Sequence, residues 1–144
     1  IRSPEVTACV SEVAANRYIR EFLTSQQKKM GRDGGLVAEG RDIGTTIFPD
    51  ADLKIFLTAS VTERAKRRYK DLKNRGFELP DIKTLEQDIS NRDQQDSSRK
   101  ISPLIKAEDA IEIITDKMTQ EEVVEEIFEL FKYKIPQEIW PTKF

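Results

Sequence analysis

Apolar residues recur at helical spacing near the start of the chain. Val6, Cys9, Val10, Val13 and Ala14 follow Ser3-Pro4-Glu5, and the pattern runs on less cleanly through Ile19, Phe22 and Leu23. A serine cap, a proline at the first helical position and an acid in the first turn mark the start. The spacing therefore predicts one helix from Ser3 to about Met30-Gly31. Gly34-Gly35 interrupts the chain, and Leu36-Val37-Ala38 is a short apolar run of the kind that forms a buried parallel strand. That run ends in the polar stretch Glu39-Gly40-Arg41-Asp42-Ile43-Gly44-Thr45.

Leu53-Lys54-Ile55-Phe56-Leu57-Thr58 has the length and the β-branched and aromatic content of a second strand. Thr62 is expected to cap a helix through about Asn74, closed by Arg75-Gly76. Another helix is expected from near Asp81 to Arg99, followed by a loop at Ile101-Ser102-Pro103-Leu104 and a strand at Ile111-Glu112-Ile113-Ile114. Thr119 to Lys134 reads as an amphipathic helix with Val123, Val124, Ile127, Phe128, Leu130 and Phe131 facing inward. The tail from Ile135-Pro136 through Trp140-Pro141 to Phe144 holds too many prolines for regular structure and is expected to lie along the surface. Alternating strands and helices predict an α/β fold with a parallel sheet.

Composition narrows the chemistry. The 144 residues suffice for one domain, and 38% hydrophobic with 35% charged residues fits a globular protein with a solvated surface. No apolar run approaches the roughly 20 residues needed to span a bilayer, so a soluble protein is expected. The single Cys9 offers no internal disulfide and fits a reducing cytoplasm. The chain starts at Ile1 without an initiator Met and enters a helix at once, so an upstream extension is expected.

No histidine is present, which removes Ser-His-Asp and Cys-His catalysis, His-based zinc sites and imidazole acid-base work. Carboxylates, arginines, lysines and backbone dipoles remain, the toolkit of phosphoryl transfer. A net charge of −2 argues against a general nucleic-acid surface. The local contrast between Arg64-Ala65-Lys66-Arg67-Arg68 with Lys70 and the acidic Glu121-Glu122 and Glu125-Glu126 suits a small anionic ligand held at one locus.

Three clusters could carry chemistry. At the end of the first expected strand, Gly40 lets backbone approach a ligand, Arg41 can bind phosphate bidentately and Asp42 can accept from an amino group such as a cytosine N4. The same residues also make a turn-stabilising Arg–Asp pair, and both readings stay open. Arg92, Asp96 and Arg99 fall at four- and three-residue steps on one helix face. Two arginines about a carboxylate could neutralise phosphate and bind a ribose hydroxyl, or could be a self-pairing solvated stripe. Arg64, Arg67 and Arg68 carry the same ambiguity.

Together the three clusters resemble the cytidylate kinase family, a branch of the P-loop nucleoside-monophosphate kinases. Glu39-Gly40-Arg41-Asp42-Ile43-Gly44-Thr45 and Phe48-Pro49-Asp50-Ala51, within Val37 to Leu57, are similar to the family's strand-and-loop signature. Ser60 through Arg68, then Arg92-Asp93 with Asp96 and Arg99 before Ser102-Pro103-Leu104, are similar to its lid region, and Ser11 and Arg20 to its base-recognition helix. The resemblance implies a partial nucleoside-monophosphate-kinase fold over residues 1–134, a parallel sheet flanked by helices with a helical lid at about 61–104, and a separate tail at 135–144. It implies Ser11, Arg20 and Asp42 as cytosine readers, Arg41 and Arg99 as holders of the acceptor phosphate, and Arg92 with Asp96 as sugar contacts. Arg67 or Arg68, besides Arg92 and Arg99, would stabilise the transferring phosphoryl group. ATP with Mg²⁺ is the implied donor, and CMP or dCMP the acceptor.

One departure limits the expectation. No glycine of this chain is followed by Lys-Ser or Lys-Thr, so no G-x-x-x-x-G-K-[ST] phosphate cradle is present. The chain is thus expected to be the C-terminal part of the enzyme, inactive alone. The tail Lys134-Ile135-Pro136-Gln137-Glu138-Ile139-Trp140-Pro141 resembles the end of cyanobacterial fusions in which a pantoate ligase domain precedes a cytidylate kinase domain. Two rival readings are a non-catalytic kinase-like domain that binds a nucleotide or partner, and an RNA-binding patch at Arg64 to Lys70.

Overall fold

Asn16 divides the helical start of the chain. The computed structural model describes Val6, Cys9, Val10, Val13, Ala14 and residues 16–139. The residues named before Asn16 are helical, but Asn16 itself is extended at φ −69° and ψ 123°. Its side chain accepts from the N–H groups of Tyr18 and Ile19, which opens a new helix, α1, at Arg17–Met30. The single helix expected to Met30 is therefore interrupted, because an asparagine acceptor satisfies the orphan donors of a fresh helix start. The expected start at Ser3 lies outside the described residues. α1 ends as expected at Gly31, with Lys28 and Lys29 in its last turn favouring the negative end of the helix dipole.

Leu36-Val37-Ala38 forms no strand, contrary to the expectation. Among the described residues the one sheet has two strands, and a strand exists only through its ladder; Val37 is 98% exposed. The polar stretch instead leads into a single π turn, Ile43–Ile47, in which the Phe48 N–H donates to the Ile43 carbonyl at 2.7 Å. Such turns carry one residue more than an α turn and recur at functional sites.

β1 (Ile55–Thr58) and β2 (Ile111–Ile114) pair in parallel, with Ile55 opposite Ile111 and Thr58 opposite Ile114. α2 spans Val61–Asn74. Its cap is Ser60, whose hydroxyl accepts from the Glu63 N–H, and not Thr62 as expected. Arg75 and Gly76, the latter at φ 71°, close it as the sequence indicates. α3 runs from Ile82 to Ser98, with the Asp81 carboxylate accepting from the Lys83 N–H at its start. α4, Gln120–Lys134, begins with a capping box in which Thr119 and Glu122 each accept from the other's N–H. Val123, Ile127, Leu130 and Phe131 on α4 are half-buried, whereas Val124 and Phe128, expected to face inward, are exposed. The tail is regular for one 3₁₀ turn at Gln137–Ile139, where irregular chain was expected.

The chain divides into two units. One holds the described residues up to Pro49 with Gln87–Lys106; the other holds Asp50–Glu86 with the described residues from Ala107. In the second unit Ala65, Leu72, Leu85, Ile113 and Ile135 form an apolar core. Lys54 there bridges to Asp109, and that hydrogen bond holds the Asp109 carboxyl below its ordinary pKa. The first unit differs in kind. Among its described residues Ile47 is the buried apolar side chain, and Asp42, Asp96 and Ser102 are buried with it. Buried carboxylates are uncommon unless paired, so the chemistry of this unit is sought around them.

Candidate functional site

Asp42 is the first of the two buried acids. Arg20 on α1 donates from Nη1 to Asp42 Oδ2 at 2.6 Å, and the two side chains are 13% and 10% exposed. The Asn16 break makes this possible, because Arg20 Nε also donates to the carbonyl of Ala14 at 2.8 Å. On the other side the π turn fixes the backbone of Asp42: its carbonyl accepts from the Thr46 and Ile47 N–H groups at 2.8 and 3.2 Å. A cleft of about 130 Å³ opens beside the pair, lined by Ala14, Ile19, Arg20, Leu23, Thr24, Gln27 and Asp42. It is smaller than the roughly 300–1,000 Å³ usual for a whole ligand. A larger hollow of about 470 Å³ follows Glu21, Lys28, Lys29 and Arg32 along α1. It is walled by that helix and the turn just after it and holds neither buried acid, so the smaller cleft is the better chemical candidate.

Asp96 on α3 is the second. It is 0% exposed, and three guanidinium groups converge on its carboxylate. Arg41 Nε donates to Oδ2 at 2.9 Å, Arg99 donates from Nη2 to Oδ1, and Arg92 Nε lies 3.8 Å from Oδ2. The helical spacing of Arg92, Asp96 and Arg99 brings these together as expected; Arg41, 55 residues before Asp96, arrives from the loop that precedes the π turn. The Asp96 carbonyl accepts from the Leu104 N–H at 2.8 Å, which ties the loop after α3 back onto the helix. Three guanidinium groups thus share one buried carboxylate, the kind of arginine cluster that can also bind an anionic oxygen.

Arg67 and Arg68 lie on α2, in the other unit. Arg67 spends all three guanidinium nitrogens on its own unit: Nε to Glu63, Nη1 to the Thr115 hydroxyl at 3.0 Å and Nη2 to the Thr115 carbonyl at 2.5 Å. Arg68 pairs with Asp71 at 3.6 Å and Arg64 Nε donates to the Ala59 carbonyl. The basic cluster is thus largely engaged within its unit. Ser11 lies outside the described residues.

Sequence reading missed the partners of this cluster. Ser60 donates from its hydroxyl to Asp116 Oδ1 at 2.5 Å and from its N–H to Oδ2 at 2.9 Å, and these bonds hold the Asp116 carboxyl below its ordinary pKa. Thr115 is 5% exposed and also donates to the Thr58 carbonyl at 3.0 Å. The available signal was a Thr-Asp pair directly after a predicted strand, where side chains meet the start of the helix that follows its parallel neighbour.

Comparison with known proteins decides the family. The profile described as cytidylate kinase matches residues 1–133. The chain belongs to the cytidylate kinase family. Family members similar to it include a protein of Prochlorococcus marinus (strain NATL1A) named bifunctional pantoate ligase/cytidylate kinase. It is 61% identical over 142 residues, covering 99% of this chain and 28% of that protein. A protein of the same name from Prochlorococcus marinus (strain MIT 9313) is 60% identical over 99% of this chain and 28% of its own length. One from Synechococcus sp. (strain CC9902) is 58% identical over 99% and 29% respectively. The chain thus spans between a quarter and a third of the length of these cytidylate-kinase relatives. Among the described residues no helix is long and apolar enough to cross a membrane.

Proposed function

We propose that this chain supplies the acceptor side of a cytidylate kinase, which transfers a phosphoryl group from ATP, accompanied by Mg²⁺, to CMP or dCMP and releases CDP or dCDP. The observation that carries the reading is one unit holding a buried Arg20–Asp42 pair beside a small cleft and three arginines gathered on buried Asp96. Asp42, already oriented by Arg20 and by the π turn, accepts from the cytosine amino group; Arg20 and Ser11 complete the recognition of the base edge. Uracil offers a carbonyl at that position, and a carboxylate facing it has no proton to receive. Arg41 and Arg99 hold the acceptor phosphate, Arg92 with Asp96 contacts the sugar, and Arg92 with Arg99 neutralises charge as the phosphoryl group moves in line. Of the two arginines on α2, Arg68 suits a lid role better, because every nitrogen of Arg67 is already engaged.

The full-length protein carries the ATP cradle upstream of this chain, joined to a pantoate ligase region as in the named relatives; the coding frame before Ile1 checks this. In that frame the chain comprises the C-terminal part of the kinase domain, with the lid at about 61–104 and the tail from 135. Alone it is inactive, since it contains no G-x-x-x-x-G-K-[ST]. A second reading, a non-catalytic nucleotide- or partner-binding domain, draws on that same sequence fact.

Steady-state kinetics of Asp42→Ala in the full-length protein separate the readings. We expect kcat/KM for CMP to fall by at least about a hundredfold, because a base-reading acceptor is lost, while the KM for ATP stays within about threefold. Equal loss on both substrates overturns the base-reading role. A full-length protein that binds CMP without turning it over favours the non-catalytic reading.

A further inference from the structure

Two polar side chains besides Arg20 and Asp42 line the small cleft, Thr24 and Gln27. Both are half-buried, and neither makes a side-chain hydrogen bond among the described residues. We propose that Gln27 is a further specificity-determining residue of the base cleft: its carboxamide oxygen accepts one hydrogen of the cytosine 4-amino group, the other going to Asp42. This deepens the acceptor-side reading above and rests on it.

Helix geometry puts Gln27 on the cleft. At about 100° per residue, the steps from Arg20 to Gln27 bring it back within about 20° of the same face, two turns further along α1. Thr24, one turn on, is about 40° away, and Ile19 and Leu23 add apolar lining. Helical side chains lean toward the N-terminus, so the Gln27 amide is carried back toward the level of Thr24 and into the cleft. Donor and acceptor capacity then selects it. The 4-amino group of cytosine carries two N–H donors, and a donor enclosed without an acceptor forfeits the bond it had to water. Asp42 binds Arg20 through Oδ2, which leaves Oδ1 for one of them. Arg20 only donates; with Nε held by the Ala14 carbonyl and Nη1 by Asp42, it suits the ring nitrogen and carbonyl of the base rather than the amine. The Thr24 hydroxyl and the Gln27 carboxamide are the other side-chain acceptors lining the cleft, and the longer glutamine reaches further into it. A carboxamide accepts or donates by turning over, so Gln27 strengthens the hold on cytosine while Asp42 supplies the rejection of uracil.

The test changes protein and ligand in pairs, in the full-length protein. Gln27→Met keeps the length and helix preference of the side chain and removes the carboxamide. For CMP, kcat/KM should fall by about three- to tenfold, the worth of one neutral hydrogen bond, with the change in KM and kcat held within about twofold. The paired ligand is pyrimidin-2-one ribonucleoside 5′-monophosphate, which has a hydrogen in place of the 4-amino group. Its Ki against CMP should differ between wild type and Gln27→Met by less than about twofold, because the partner of Gln27 is already gone. Thr24→Val should leave both ligands within about twofold of wild type. Should Gln27→Met fill the cleft or fail to fold, Gln27→Ala removes the same group without bulk, and the same amine-dependent loss is expected. An unchanged kcat/KM for CMP, equal losses on the two ligands, a loss in kcat at constant KM, or an amine-dependent loss in Thr24→Val instead would each overturn the inference. A wild-type protein that does not phosphorylate CMP removes the acceptor-side reading and this inference together. An active wild type with equal losses on the two ligands in Gln27→Met removes the inference alone.

Discussion

α1 carries two arginine–carboxylate pairs of nearly the same length and very different burial. Arg17 meets Glu21 at 2.7 Å with side chains 72% and 58% exposed; Arg20 meets Asp42 at 2.6 Å with side chains 13% and 10% exposed. If distance governed their worth, the two would contribute alike. Burial argues otherwise. Removing Arg20 leaves a carboxylate enclosed without its counter-charge and also frees the Ala14 carbonyl, so Arg20→Ala should cost about 3 to 5 kcal/mol. That corresponds to roughly two to three and a half powers of ten in exchange protection where opening is local. Arg17→Ala removes a solvent-screened pair and should change protection by less than about threefold. Hydrogen exchange of the full-length protein, read by mass spectrometry on peptides covering 17–30 and 42–48, measures both variants in one experiment. Adding Asp42→Asn to Arg20→Ala should restore part of the loss, because the orphaned charge is then gone. Equal losses in the two single variants, or no recovery in the double one, would refute the reasoning.

Two further outcomes follow from the same structure. The Asp116 carboxyl is held below its ordinary pKa by the Ser60 hydroxyl first and the Ser60 N–H second, so its contribution is present above the unfolded carboxylate's pKa and is lost as pH falls through the folded one. Asp116→Asn should therefore lower the exchange protection of the α2 start near neutral pH, with a difference from wild type that shrinks below about pH 4; a difference independent of pH would count against the carboxylate. At Gly31 the backbone tolerates alanine, at φ −89°, which by itself would stabilise by about 0.4–1 kcal/mol. A Cβ there would sit 2.5 Å from Phe48 Cε1 and 2.7 Å from Cζ, and overpacking of a rigid ring costs about 1–3 kcal/mol. Gly31→Ala should thus be net destabilising by thermal denaturation; a raised midpoint would show that the ring yields.

What the sequence made legible, and what it did not, follows from the range of the forces involved. β1, β2 and the extent of α4 were readable because a β-branched run or an amphipathic repeat is a signal contained within the element itself. The break at Asn16 was hidden because apolar periodicity continues across it, and periodicity does not register a side chain that satisfies its own neighbours' N–H groups. Leu36-Val37-Ala38 has strand composition, but a ladder needs a partner, and none is present among the described residues. Thr62 was read as the cap of α2 in place of Ser60, which Asp116, 56 residues away, engages. The site shows the same division. Arg20, Arg41, Asp42, Arg92, Asp96 and Arg99 were all nameable from motifs, and the helical trio was placed correctly. That Arg20 closes on Asp42 and Arg41 on Asp96 was not, since each joins segments far apart in the chain. The hydrogen bond from Arg67 to Thr115, 48 residues later, was likewise not visible in the basic run.

The parallel register of β1 and β2 also bears on synthesis. Ile55 pairs with Ile111, so β1 leaves the ribosome 56 residues before its partner in this chain. At roughly 5–20 residues per second that is a delay of about 3 to 11 s. During it Ile55, Phe56 and Leu57 form a nascent apolar segment without that ladder, while α2 can form at once on its own Ser60 cap. The Asp116 latch emerges directly after β2 and secures Ser60 as soon as the strand is paired. Sheet closure and helix anchoring are therefore coupled in translation order, and a pause placed between codons 58 and 111 would prolong the exposure of β1 to chaperones and to neighbouring chains.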